Sequence, residues 1–211
     1  MLGAFARVLV VCAHTDDEFG CAGTVTRLLE GGAHVRYVAL SRCEESVPPP
    51  LPPDVLEQEC RECTARMGLT PDDVSVLGFP VRHFPDYRQP ILETLVRLAR
   101  EYRPELVLLP SSFDTHQDHA TVFNEGFRAF KHSTILGYEM PQNLISFSHS
   151  AFVELTREQL DRKVYALESY RSQAFRPYST GEFIRGLATV RGVQCNASYA
   201  EAFEVVRLIL R

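Results

Sequence analysis

Two short segments of this 211-residue chain concentrate groups that can hold a metal and move protons. The first is Ala13-His14-Thr15-Asp16-Asp17-Glu18; the second is Asp114-Thr115-His116-Gln117-Asp118-His119. Within twelve residues they gather three of the seven histidines and five carboxylates. Either segment alone has an ordinary explanation. A histidine beside acidic residues is commonly a satisfied loop residue or a helix cap, and carboxylates such as Asp16 and Asp17 are favoured at a helix start by its dipole. The two together need more, because like-charged carboxylates around one cleft repel unless a cation compensates. Imidazole nitrogen and carboxylate oxygen without thiolate suit a catalytic zinc site with three protein ligands and an open position. Zinc in such a site brings a bound water to a pKa of about 7, where it is a usable nucleophile.

Both segments follow a buried strand and open a helix, so the chain around them must be a strand-loop-helix scaffold. Arg7–Cys12 is a continuous β-branched run of the kind buried on both faces of a sheet. A helix over Phe19–Glu30, closed by Gly31-Gly32, and a strand over His34–Ser41 complete a βαβ unit. The proline run 48–53 is a stiff extended loop before a helix over Asp54–Met67. Then come a strand Val74–Phe79, a helix Ile91–Tyr102 with apolar residues at helical spacing, and the buried strand Leu106–Pro110. Ala120–Phe130 reads as the helix after the second segment, followed by strands Ile135–Glu139 and Phe152–Glu154 and a helix Arg157–Tyr170. From about residue 175 the pattern is less regular, ending in Phe203–Leu210 as strand or helix. Strands alternating with helices give an α/β, doubly wound, mostly parallel sheet. The two segments then share the carboxyl edge, where open α/β sheets bind ligands. With no clear linker or repeat, residues 1–211 read as a single domain.

At these residues the sequence resembles the PIG-L/LmbE-like family of zinc-dependent N-acetyl sugar deacetylases. The two segments look like that family's AHPDDE and HPDH signatures. Supporting matches are Glu59 with Met67-Gly68, the stretch from Lys163 to Ser172-Gln173, and Tyr199-Ala200-Glu201-Ala202-Phe203. The resemblance implies a Rossmann-like fold and one Zn²⁺ per chain held by His14, Asp17 and His119. It implies Asp16 as the general base on the attacking water, His116 as the group stabilising the oxyanion, and Asp118 as the residue orienting His116. Adjacent Asp16 and Asp17 point different ways, so one can bind metal while the other faces substrate. The implied substrate is an N-acetylglucosamine-type sugar or conjugate, and relatives are often oligomeric. Thr15 and Gln117 replace the two motif prolines, neither of which is a ligand. Leu56 stands where many relatives carry Arg, and Ser41-Arg42-Cys43-Glu44 replaces Thr-x-Gly-Glu. Arg42, Arg82 and Arg88 are the candidates to bind substrate in compensation.

Composition narrows the alternatives. With 22 Lys and Arg against 27 Asp and Glu, the net charge of -5 offers no nucleic-acid footprint. No apolar stretch reaches the ~20 residues of a membrane span. The apolar start, Met1 to Ala13, is broken by Arg7 and reads as a buried strand rather than a leader. The six cysteines suit a reduced, cytoplasmic protein. A thiol redox role for Cys60 and Cys63 is disfavoured because the pair lies within a helix. A non-catalytic, Rossmann-like sugar-nucleotide binder would need Gly-x-Gly-x-x-Gly after the first strand. That loop has only Gly20 and Gly23, beyond acidic residues that repel pyrophosphate.

Overall fold

The computed structural model describes residues 4–209. One seven-stranded sheet runs in the order β3-β2-β1-β4-β5-β7-β6. The strands are β1 (Arg7–Cys12), β2 (His34–Ala39), β3 (Val74–Val76), β4 (Leu106–Pro110), β5 (Thr134–Tyr138), β6 (Ala151–Glu154) and β7 (Ala200–Arg207). The first five pair in parallel; β7 is antiparallel to β5 and to β6. The helices are α1 (Ala22–Glu30), α2 (Val55–Met67), α3 (Arg88–Tyr102), α4 (Gln117–Ala129), α5 (Arg157–Leu167) and α6 (Gly181–Gln194). The doubly wound, mostly parallel reading therefore holds.

Alternation along the central strands divides the core into two layers, as a two-residue period requires. Val8, Val10 and Cys12 of β1 and Leu106 and Leu108 of β4 face α1, α2, α5 and α6. Leu9, Val11, Val107 and Leu109 face α3 and α4. Gly126 lets α4 lie close on β4, since a Cβ there would sit 2.8 Å from Leu109 Cδ2. Order reverses between β1 and β4, so their carboxyl ends flank the switch point of the sheet.

Three differences from the sequence expectation bear on the site. The helix expected from Phe19 begins at Ala22, because Asp17–Gly20 forms a separate 3-10 turn that presents the acidic loop. The helix expected from Ala120 begins at Gln117, which puts Asp118 and His119 in its first turn. Residues beyond 175 contain α6, whose apolar side chains follow no clean helical stripe, and β7 is a strand. Leu210, the end of that last expected element, and Met1–Gly3 lie outside the described residues.

Candidate active site

The loop after β1 folds on itself: the His14 amide donates to Asp17 Oδ2 at 2.8 Å. Beneath it, Glu18 is fully buried and accepts from Tyr37 at 2.8 Å and Tyr170 at 2.5 Å. Both tyrosine hydroxyls also reach the Thr15 carbonyl. Burial pushes the Glu18 carboxyl up to about 7, against the hydrogen bonds from Tyr170 and Tyr37. The second loop is tied by Asp114, whose Oδ1 accepts from the His116 amide at 2.9 Å.

The two loops meet in a triangle of three atoms. His119 Nε2 is 3.0 Å from His14 Nδ1, and Asp17 Oδ1 is 3.3 Å from the former and 3.6 Å from the latter. Each imidazole gives its outer nitrogen to a buried carboxylate: His14 Nε2 to Asp118 at 3.0 Å and His119 Nδ1 to Asp114 at 2.8 Å. Those outer nitrogens must carry the protons, so in neutral rings the inner nitrogens are lone pairs. Three acceptors with no donor then face one another, which only a cation between them stabilises. A point roughly 2 Å from all three exists, the distance at which zinc binds nitrogen and carboxylate oxygen. The donor set fits the implied metal, and the carboxylates behind both rings are the usual support for metal-ligating histidine.

Without a metal, protons fill that role. Burial disfavours charge on both rings, but Asp17 and the outer carboxylates outweigh it, raising His14 to about 9 and His119 to about 10. Burial likewise opposes an ionised Asp17, yet His119 and His14 hold its carboxyl far below the usual range.

His116 completes a cluster of three imidazoles that could hold a metal. Its Nδ1, however, accepts from the Asp118 amide at 3.2 Å, so the neutral ring carries its proton on Nε2 and is a donor there. Burial and the two neighbouring imidazoles lower its pKa, favouring that neutral form. The carboxylate of Asp118 does not meet His116 as expected. It accepts instead from His14, from the Arg82 amide at 2.6 Å and from the Phe84 amide at 3.2 Å. Asp118 touches His116 only through its backbone, because the first turn of α4 turns the side chain toward β1.

Asp16 and Asp17 sit in different surroundings. Asp16 lines a cavity of about 200 Å³ onto which His14, Asp17 and His119 also open, and it makes none of the triangle's contacts. Burial, then neighbouring Asp17, raises its pKa, while His14 and Arg176 pull the other way. The rest of the wall holds Leu56, Val81, Met140, Gln142, Asn143, Gln173 and Tyr178. Of the three arginine candidates only Arg82 lines this cavity. Arg42 is turned outward to Glu57 at 3.3 Å, and Arg88 to Glu125 at 2.7 Å, so neither is brought to the cleft.

Two residues were not assigned from sequence. Arg176 lines the cavity, its Nε donating to Gln173 at 2.6 Å and its guanidinium to the Tyr178 hydroxyl at 2.8 Å. It sits in a stretch without periodicity, and only its closeness to Ser172-Gln173 hinted at it. Asp114, behind His119, was legible only as another carboxylate of the second loop. Glu59, Lys163 and Glu201, which carried supporting resemblance, prove to be scaffold. Glu59 clamps Ser172, and Glu201 accepts from Lys163 at 2.7 Å and from the amides of Gly23 and Thr24 opening α1. Cys60 and Cys63 are buried on α2, and burial pushes both thiols well above their ordinary value, the opposite of a redox-active pair.

A family profile described as GlcNAc-PI de-N-acetylase, PIG-L, matches residues 9–130, more than half of the chain and both loops of the site. The chain belongs to the PIG-L family. Within that match lie the acceptor triangle, the carboxylates behind it, Asp16 and His116. The uncharacterized deacetylase YaiS of Escherichia coli K12 is 24% identical over 172 residues, 78% of this chain and 90% of that protein. The solved N,N'-diacetylchitobiose deacetylase of Pyrococcus horikoshii superposes with a TM-score of 0.78 at 20% identity, covering 95% of this chain and 83% of that one. GalB of Pseudomonas putida KT2440, a 4-carboxy-2-hydroxymuconate hydratase, superposes with a TM-score of 0.76 at 21% identity over 97% and 98% of the two chains. At these identities the two structural likenesses are ones of fold.

Proposed function

We propose that this PIG-L family member is a zinc-dependent hydrolase that removes the acetyl group from an N-acetylglucosamine-type sugar or conjugate. The observation that carries the reading is the triangle of His14, Asp17 and His119, whose three acceptor atoms converge with no donor among them. One Zn²⁺ per chain would sit there and supply the Lewis acidity that makes water a nucleophile near neutral pH. Asp16 accepts the proton of the attacking water and returns it to the leaving amine; its raised pKa suits a group that must do both. His116 donates from Nε2 to the carbonyl oxygen as negative charge develops there. Asp118 and Asp114 act through His14 and His119, fixing their tautomers.

The cavity of about 200 Å³ is below the ~300 Å³ at which pockets enclose a whole drug-sized ligand. It takes the acetamido end and leaves the remainder of a conjugate outside. Arg82, Arg176 and Gln173 are the polar groups placed to hold the sugar. We read residues 1–211 as one domain, and six free cysteines suit a reducing, cytoplasmic setting. Among the described residues no helix is long and apolar enough to cross a membrane.

The test is a panel of N-acetylated amino sugars and conjugates incubated with zinc-loaded and metal-stripped protein, reading acetate and free amine. Acetate and amine released in equal amounts, lost on stripping and restored by zinc, is the expected result. Protein that takes up no zinc at micromolar metal, or releases neither product across the panel, overturns the reading.

A further inference from the structure

A second, larger cavity of about 760 Å³ lies at the other end of the sheet, between the carboxyl ends of α3 and α4. Its floor is apolar, formed by Val96, Ala99, Pro104 and Ala129, and its rim is basic. The volume is in the range that encloses a small organic ligand.

Basic side chains at helix carboxyl ends have an ordinary role, which is to cap carbonyls and complement the dipole. Here other residues fill that role. Arg7 Nε donates to the Arg103 carbonyl that ends α3, at 3.0 Å, and Arg207 donates to the Phe130 carbonyl that ends α4, also at 3.0 Å. Arg7 is further paired with Glu105, and Arg128 with Glu125. Three cations are left over. Arg100 stands on the last turn of α3, Arg103 at its C-cap and Lys131 on the α4–β5 turn, and none of their side chains has a carboxylate or carbonyl partner among the described residues. What sets these three apart from other exposed cations is that they line one concavity.

We infer that this cavity is a binding site for a small ligand bearing a diphosphate group. Two cations from the carboxyl end of α3 and its cap, and one from the facing turn, match a ligand with adjacent negative charges, and arginine forks are suited to phosphate oxygens. The apolar floor gives a flat organic part, such as a nucleobase, a surface to lie on. The site lies on the opposite edge of the sheet from His14 and His119, so it is independent of the hydrolytic reading.

Two probes separate the sources of the phosphate: inorganic pyrophosphate and ADP, each titrated calorimetrically into zinc-loaded protein at low salt. Saturable binding of either, weakened on the order of tenfold for each cation removed, is expected. The variants are Arg100→Ala, Arg103→Asn and Lys131→Ala, singly and together; Asn tolerates the left-handed backbone of residue 103, whose φ is 52°. All three side chains are exposed, so circular dichroism and deacetylase activity should match the parent. Equal affinity for the two probes identifies the diphosphate itself as the recognised group, and tighter ADP binding adds the apolar floor. Binding that persists undiminished in the triple variant places the phosphate in the catalytic cleft and overturns the inference. So does an absence of binding by both probes at millimolar concentration, or binding of a single-stranded RNA but of neither probe.

Discussion

Removing the Asp114 carboxylate should weaken the metal site without touching a proposed ligand. Asp114 has no exposed side-chain surface and lies 2.8 Å from His119 Nδ1. Its two oxygens face three donors: His119 Nδ1–H and the Asn143 amide on Oδ2, and the His116 backbone N–H on Oδ1. In Asp114→Ala the outer N–H of His119 loses a charge-assisted bond, worth about 1.5–3 kcal/mol. That converts to roughly 10- to 100-fold in zinc affinity, the range typical for carboxylates behind metal-ligating histidines. The conservative Asp114→Asn should be no milder. Every partner is a donor, so an amide NH₂ must oppose one of them whichever way it is turned. The assay is zinc competition against a chromophoric chelator at fixed pH, with kcat measured separately at saturating zinc. Affinity should fall in both variants, while kcat at saturation stays within about tenfold because Asp114 transfers no proton. Wild-type zinc affinity in a folded Asp114→Ala protein would refute the claim that this carboxylate fixes His119.

Zinc must displace protons from His14 and His119, whose pKa values in the metal-free protein are raised to about 9 and about 10. Affinity should therefore climb from pH 7 to 9, and calorimetry in two buffers of different ionisation enthalpy should show proton release on binding. The same raised values mean the metal-free fold gains stability from these protons below pH 6.5 and loses it as pH rises through 9 to 10, a trend that denaturant midpoints would reveal and zinc should abolish. Asp16→Asn should keep one zinc per chain by metal analysis yet lose about 100-fold or more in kcat. His116→Ala should also keep zinc, with kcat down roughly 100- to 1000-fold; a zinc-free variant would make His116 a ligand instead. Lys163→Met strands the buried Glu201 carboxylate and should cost about 3–5 kcal/mol in urea unfolding, part of it recovered by adding Glu201→Gln.

The site was legible where residue type alone decides chemistry. His14, Asp16, Asp17, His116 and His119 stand out because imidazole and carboxylate cluster after two buried β-branched strands, and the fold brings those strand ends side by side. Legibility failed where partner choice depends on turn geometry. The Asp118 side chain was expected on His116 and lies on His14, a difference set by α4 starting three residues earlier than its apolar pattern suggests. Arg42 and Arg88 show the complementary failure. An exposed arginine takes whichever carboxylate a packed neighbouring element offers, here Glu57 of α2 and Glu125 of α4, and sequence distance from a motif says nothing about that competition. α6 escaped notice because apolar side chains such as Val190 and Val193 are exposed, which blurs the stripe that marks a helix.

The missing motif prolines show why the loops keep their shape. A proline at position 15 would restrict φ and stiffen the turn before Asp16 and Asp17. Thr15 cannot do so, and its own hydroxyl is buried with no hydrogen-bond partner. Order comes instead from its carbonyl, which receives hydroxyls from β2 (Tyr37) and from the segment after α5 (Tyr170). Those hydroxyls are themselves anchored on buried Glu18, three residues along the same loop. The turn is thereby tied to two separate elements of the core. In the second loop Gln117 likewise reaches back to the Arg82 carbonyl, joining α4 to the loop after β3. Tertiary hydrogen bonds can thus hold the turn that backbone restriction would otherwise hold. They place the cost of disorder at the fully buried Tyr37–Glu18–Tyr170 cluster, where an unpaired polar group is most expensive.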